Sequence, residues 1–126
     1  MSRLMSVAFT EDAVRARTKT VTRRKGWMFL KPGDRLTLVR KSMGRTRKDA
    51  DGRRYTEPLV RIADVEIVSV RREPLFHITA DEVAREGYAG MTPHDFMVRF
   101  FVERQRIGFA DLITRIEWKY LDGGAV

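Results

Sequence analysis

Apolar residues in this chain recur with two different periods, and a period of two dominates the early and final parts. Residues 4–9 (LMSVAF) read as a short first strand. In residues 35–39, Leu36 and Leu38 point one way while Arg35, Thr37 and Val39 point the other, which predicts a second strand. The longest strand signal is LVRIADVEIVSVRR, residues 59–72. Its inward phase shifts between Ile62 and Val65, predicting a β-bulge near Ala63-Asp64. Residues 112–121 alternate again, with Leu112, Ile116, Trp118 and Tyr120 on one face and Arg115, Glu117 and Lys119 on the other. Between the last two strands the period becomes helical. Thr79 and Glu82 have the spacing of a capping box, and Gly87 is placed to end that helix. Thr92-Pro93-His94-Asp95 opens a second helix, on which Phe96, Met97, Phe100 and Phe101 share a face.

The intervening segments complete the outline. Thr10 is positioned to cap a helix over residues 11–17, with Glu11 and Asp12 in its first turn. The segment TKTVTRR, residues 18–24, is extended by its Thr and Val content and exposed by its charge. Lys31-Pro32-Gly33-Asp34 is a turn. Residues 41–58 are polar and basic and read as a long mobile loop or as a hairpin tip around Asp51-Gly52. Strands first, a helical pair inserted, then a returning strand: the pattern predicts an α+β fold with a mostly antiparallel, closed or nearly closed sheet and an N-terminal helix. No repeat or linker divides it, so residues 1–126 form one domain.

Composition narrows the chemistry. With no cysteine, disulfides, thiolate metal sites and a Cys nucleophile are excluded together. His77 and His94 lack partner spacing for a metal, and no phosphate-cradling Gly-rich loop or serine nucleophile elbow is present, so no metal or cofactor is expected. No apolar run suits a signal peptide or a bilayer span, which makes a cytoplasmic protein with no membrane partner the expectation. The formal net charge is +8 and is unevenly spread. Residues 1–72 hold 19 basic and 8 acidic side chains, residues 73–126 hold 6 and 9. Such concentration points to a phosphate-bearing partner, with a merely solvated basic face as the plainer alternative.

Three motifs carry a resemblance. They are Arg17-Thr18-Lys19-Thr20-Val21-Thr22-Arg23-Arg24, the Lys31-Pro32-Gly33-Asp34 turn, and residues 78–88 (ITADEVAREGY) followed by a second helix and an aromatic strand. In this order, over roughly residues 5 to 121, the chain resembles the ASCH domain family. The signature Gly-x-Lys-x-x-x-x-Arg matches at Lys19 and Arg24, while Arg17 stands in the Gly position. The resemblance implies a PUA-like β-barrel with a cleft and a role in RNA binding. One branch of the family is similar to amidohydrolases that remove the acetyl group from N4-acetylcytidine. Its Lys, Thr and Glu correspond here to Lys19, Thr22 and Glu86.

Each residue also has a plainer reading. Lys19, set among Arg17, Arg23, Arg24 and Lys25, has a pKa lowered by like charges and could supply a base, or is a simple phosphate contact. Thr22 shares a strand face with Thr20 and presents its hydroxyl to a cleft, or is an ordinary strand residue. Glu86, unfavourably placed at a helix C-terminus, pairs with Lys19, or is solvated. Trp27 and Tyr88 are the stacking candidates beside the motifs, and Arg45, Arg47 and Lys48 join Arg23 and Arg24 as phosphate contacts. Three functions stay open: an RNA- or nucleotide-binding module, a metal-independent amidohydrolase acting on an acylated nucleoside, and a basic face that meets an acidic protein partner. Oligomeric state is not legible.

Overall fold

In the computed structural model one strand of 14 residues, β6 (Arg61–Pro74), forms the spine against which the other main strands assemble. Residues 3–40, 46–56 and 58–121 are described here, apart from the side chains of residues 46, 47 and 56. The strands in chain order are β1 (Arg3–Ser6), β2 (Val21–Arg24), β3 (Arg35–Val39), β4 (Thr46–Lys48), β5 (Arg54–Thr56), β6 and β7 (Leu112–Tyr120). Five of them form one sheet in the order β1-β3-β6-β7-β2. Strand β1 runs parallel to β3, and every other pairing in this sheet is antiparallel.

The phase shift in β6 is real and occurs twice. Leu38 pairs with Ala63 and Val39 with Arg61, leaving Ile62 unmatched, close to the predicted position. Opposite β7, Ile67 pairs with Trp118 and Ser69 with Glu117, leaving Val68 unmatched. Each extra residue bends the strand and increases its twist. The outcome is a mixed α+β fold around a curled five-stranded sheet. No ladder joins β1 to β2 among the described residues, so the sheet is open rather than closed. The seam is crossed instead by a side chain: Arg24 Nη2 at the end of β2 donates to the carbonyl of Ser6 at the end of β1, at 2.8 Å.

Three helices pack on this sheet: α1 (Glu11–Arg15), α2 (Ala80–Arg85) and α3 (Pro93–Met97), which continues through a π-helical segment (Val98–Val102) into a last turn (Glu103–Gln105). Thr79 and Thr92 cap α2 and α3 as the sequence predicts, accepting from the amides of Glu82 and Asp95. Thr10 makes no side-chain cap, and α1 stops at Arg15. The first strand likewise ends at Ser6, because residues Ala8–Thr10 turn into a 3₁₀ helix that turns the chain into α1. The hairpin reading of residues 41–58 holds where described, with β4 and β5 paired and Asp49 Oδ1 accepting from the amides of Asp51 and Arg53.

The core divides in two. Met5, Val14, Leu36, Leu38, Val65, Ile67, Ile116 and Trp118 fill the curl of the sheet. Leu75, Ile78, Val83, Phe96, Met97, Phe101, Ile107 and Ile113 pack the helical insertion against the start of β7. Strand β7 therefore buries both faces: Ile113 and Arg115 are buried along with Ile116 and Trp118, and Leu112 is exposed. No helix among the described residues is long and apolar enough to cross a membrane.

At Gly87 the chain leaves α2 with φ +108°, and a Cβ built there would lie 3.0 Å from that of Ala13 and 3.3 Å from Cγ2 of Thr10. Both backbone strain and collision with α1 act against a side chain at this position. Gly87→Ala is expected to cost about 2 kcal/mol or more, read as a lowered urea midpoint with unchanged m-value; an unchanged midpoint would mean that α1 and α2 are not locked together here.

Candidate functional site

Strand β2 and the extended residues just before it carry two cations into a place that water hardly reaches. Lys19 and Arg23 are each only 3% exposed. Helix α2 meets them because Glu82 and Glu86 lie one turn apart on the same face. Lys19 Nζ donates to the Glu86 carbonyl at 2.7 Å and to its Oε1 at 3.2 Å. Arg23 donates to Glu86 Oε2 at 3.2 Å, to Glu82 Oε1 at 2.7 Å and to Glu73 Oε2 at 3.2 Å. The sheet register places Arg23 opposite Arg115, and Arg115 opposite Arg71. A row of like charges across three strands would be unfavourable by itself. The two acids resolve it: Glu82 accepts from both Arg23 and Arg115, and Glu73 from both Arg23 and Arg71.

The expected exposure of residues 18–24 is thus overturned for Lys19, Val21, Thr22 and Arg23, all buried. Their charges come with acids from the second half of the chain. Arg23 is a structural cation and not a phosphate contact, since three carboxylates occupy it. Glu82, read from sequence as a helix-start residue, is the hub of this network. Its signal was available as a second acid one turn before Glu86, but Glu73 and Arg115 reach the site only through strand pairing.

On the far side of the same ion pair lies a cavity of about 410 Å³, at the seam between β1 and β2. Lys19, Thr22 and Glu86 all line it. Thr22 Oγ1 accepts from Arg24 Nε at 3.1 Å. The opposing wall is aromatic: Tyr88 lies 5.6 Å from Phe96 and 4.7 Å from Phe100, centroid to centroid. At the mouth Phe9 is 72% exposed, with the Arg104 guanidinium 4.6 Å from its ring centroid. Phe96, Phe100 and Phe101, from the shared apolar face of the second inserted helix, therefore also line a ligand-sized space.

Burial pushes the Lys19 ammonium below its ordinary 10.5; Glu86 draws it back up, while Arg24 and Arg23 push it further down. Its backbone carbonyl is held by Trp118 Nε1 at 3.1 Å and Tyr120 Oη at 2.5 Å, so the residue is fixed at both ends. Burial also raises the Tyr88 phenol, and the Glu86 charge adds to the effect.

Other expected site residues lie elsewhere. Thr20 accepts from Arg85 Nε, on the outer side of the network, and does not line the pocket with Thr22. Trp27 packs against the sheet core and lies 5.4 Å from Phe29, so it is not a stacking platform here. Arg17 takes a left-handed φ of +61° and places its guanidinium 5.0 Å from the Tyr120 ring centroid. That conformation explains why glycine suits this position. Lys25 is exposed, and its carbonyl accepts from Arg72. Lys48 is exposed on the hairpin, the side chain of Arg47 is outside the described atoms, and Arg45 lies outside the described residues.

Fold and site together define a small α+β domain with a ligand-sized pocket at the open seam of a curled sheet. No family model matches the chain, and no curated protein matches its sequence. Solved structures do match in shape. An ASCH domain from Lactobacillus crispatus superposes with TM-score 0.61 at 15% identity, covering 89% of this chain and 70% of that one. A protein from Enterococcus faecalis V583 described as DUF984 gives 0.59 at 14% identity, covering 88% of this chain and 66% of that one. The chain has an ASCH-like fold.

Burial raises the Glu82 carboxyl, but hydrogen bonds from Arg115 and Arg23 outweigh it and set its pKa at about 2 against an ordinary 4.5. A depressed acid contributes stability that is present above pH 4.5 and is lost as pH falls towards 2. Glu82→Gln is expected to cost about 3 kcal/mol at pH 7 and much less near pH 2, measured as the wild-type-to-variant gap in urea unfolding. An equal gap at both pH values would contradict this.

Proposed function

We propose that the chain is an ASCH domain protein whose seam pocket binds a nucleoside-type ligand and hydrolyses an amide on its base without a metal. The observation that carries this reading is the meeting of a buried amine of lowered pKa, a hydroxyl and a carboxylate on one cavity with an aromatic wall. A cavity of about 410 Å³ suits a ligand of nucleoside size. The ring of a cytosine would lie against Tyr88 and Phe100, and its acylated exocyclic nitrogen would face Thr22.

In this mechanism Lys19 in its neutral form accepts the Thr22 proton as that oxygen attacks the acyl carbon. The resulting ammonium is stabilised by Glu86 and returns the proton to the departing amine. Water then repeats the attack and frees the carboxylic acid, restoring Thr22. The Arg24 Nε–H already directed at Thr22 Oγ1 stabilises charge that develops there. Arg23 keeps Glu86 partnered when Lys19 is replaced, so Lys19→Met should fold.

The test is acetate release from N4-acetylcytidine in the presence of a chelator. Wild type is expected to turn over; Lys19→Met and Thr22→Val should each lose about 10²-fold or more while their melting curves stay cooperative. A base works unprotonated, so the rate should climb with pH through an inflection below 10.5. No turnover above background by the wild type sinks the hydrolase for that substrate.

A second reading, RNA binding, rests on a different observation. Lys48, Arg53 and Arg54 stand exposed on the β4–β5 hairpin, with no ion-pair partner among the described residues. If this hairpin holds a strand of RNA, log affinity falls with log salt by about 0.7 per phosphate neutralised, and changing the three residues to Glu abolishes binding. Affinity indifferent to salt rules it out.

A further inference from the structure

The charge left over in the seam pocket indicates what kind of nucleoside derivative it takes. Apart from Tyr88, its ionisable lining is Lys19, Arg23, Arg24, Arg104 and a single acid, Glu86. The charge of Lys19 is paired with Glu86, and that of Arg23 with Glu73, Glu82 and Glu86. Arg24 is different. It is partly buried, and its two hydrogen bonds go to neutral oxygens, Thr22 Oγ1 and the Ser6 carbonyl. Arg104 stacks on Phe9 at 4.6 Å and lies 5.9 Å from the Phe100 ring centroid. Neither guanidinium has a carboxylate within ion-pair distance among the described residues. A guanidinium lying on a ring uses its flat face and keeps its edge N–H groups for an in-plane acceptor.

Two guanidiniums around one cavity thus lack a direct carboxylate partner among the described residues, one of them partly buried. Burial lowers the Arg24 pKa, as expected for a poorly solvated cation, and the nearby Glu86 charge offsets this in part. A phosphate monoester carries about −1.5 to −2 near neutral pH. It balances such a pair where a carboxylate would balance half and a free nucleoside none.

We propose that the occupant is a nucleoside monophosphate, with its phosphate on Arg104 at the mouth, in the field of Arg24, and its base on the Tyr88–Phe100 wall. This rests on the nucleoside reading above and narrows it to phosphorylated substrates. Arg104 is then a specificity-determining residue that the motif segments do not contain. It comes to the pocket through the last turn of α3, next to Gln105, whose side chain donates to the Phe100 carbonyl.

Calorimetric titration of the intact chain with cytidine, cytidine monophosphate and inorganic phosphate, at one fixed low ionic strength, decides the matter. The monophosphate is expected to bind at least about tenfold more tightly than cytidine. In Arg104→Gln, which keeps an exposed polar side chain at the mouth, that ratio should fall to about threefold or less. Equal affinities in the wild type overturn the inference, as does a preference that survives Arg104→Gln or phosphate alone binding as tightly as the nucleotide. Those results leave nucleoside binding intact, whereas binding of neither cytidine nor its monophosphate would remove both.

Discussion

The structure depends on neutralising the cations that strand β2 and the residues just before it take into the interior. Removing a charge from water costs several kcal/mol even after relaxation, and the loss is recovered only when each charge is paired and hydrogen-bonded. Arg23 is paired with three carboxylates through its two terminal nitrogens, its buried Nε having no hydrogen-bond partner among the described residues, and Lys19 with one carboxylate and one carbonyl. Helix α2 cannot slide or rotate without separating Glu82 and Glu86 from these partners. A buried polar network of this kind specifies one docking geometry where apolar packing alone would accept several. The position of Glu86 at the edge of the pocket follows from that docking.

The same network changes the meaning of the charge distribution. The basic first half and the acidic second half are partly one another's counter-ions, joined through β2, α2, β6 and β7. Charge counted along a chain measures what must be balanced and says nothing about whether the balance is internal. Two guanidiniums at the seam pocket and the cations of the β4–β5 hairpin are among the charges that no carboxylate pairs within the described residues.

Strand and helix identities were legible wherever a single period ran for several residues, as in β3 and in the Phe96–Phe101 face of α3. The caps at Thr79 and Thr92 were legible because they act within three residues. The buried faces of β2 and β7 were not, since Arg23 and Arg115 look solvated until strand pairing brings Glu82 and Glu73 against them. The second bulge at Val68 and the π-helical segment in α3 have no local marker in the residues. Among the site residues, Lys19, Thr22 and Glu86 could be singled out from the motif segments and a family resemblance. The aromatic wall, Phe9 and Arg104 could not, because they face the pocket only through tertiary packing.

The pairing of β2 with β7 sets an order of events. The Lys19 carbonyl is anchored by Trp118 and Tyr120, side chains 99 and 101 positions downstream. Contacts so distant close a large loop and come late and slowly in folding. On a ribosome, the segment that bears this amine therefore emerges long before anything exists to hold it. Until then its lysine and arginines are in water and fully charged, and the nascent segment is a basic tether with no pocket.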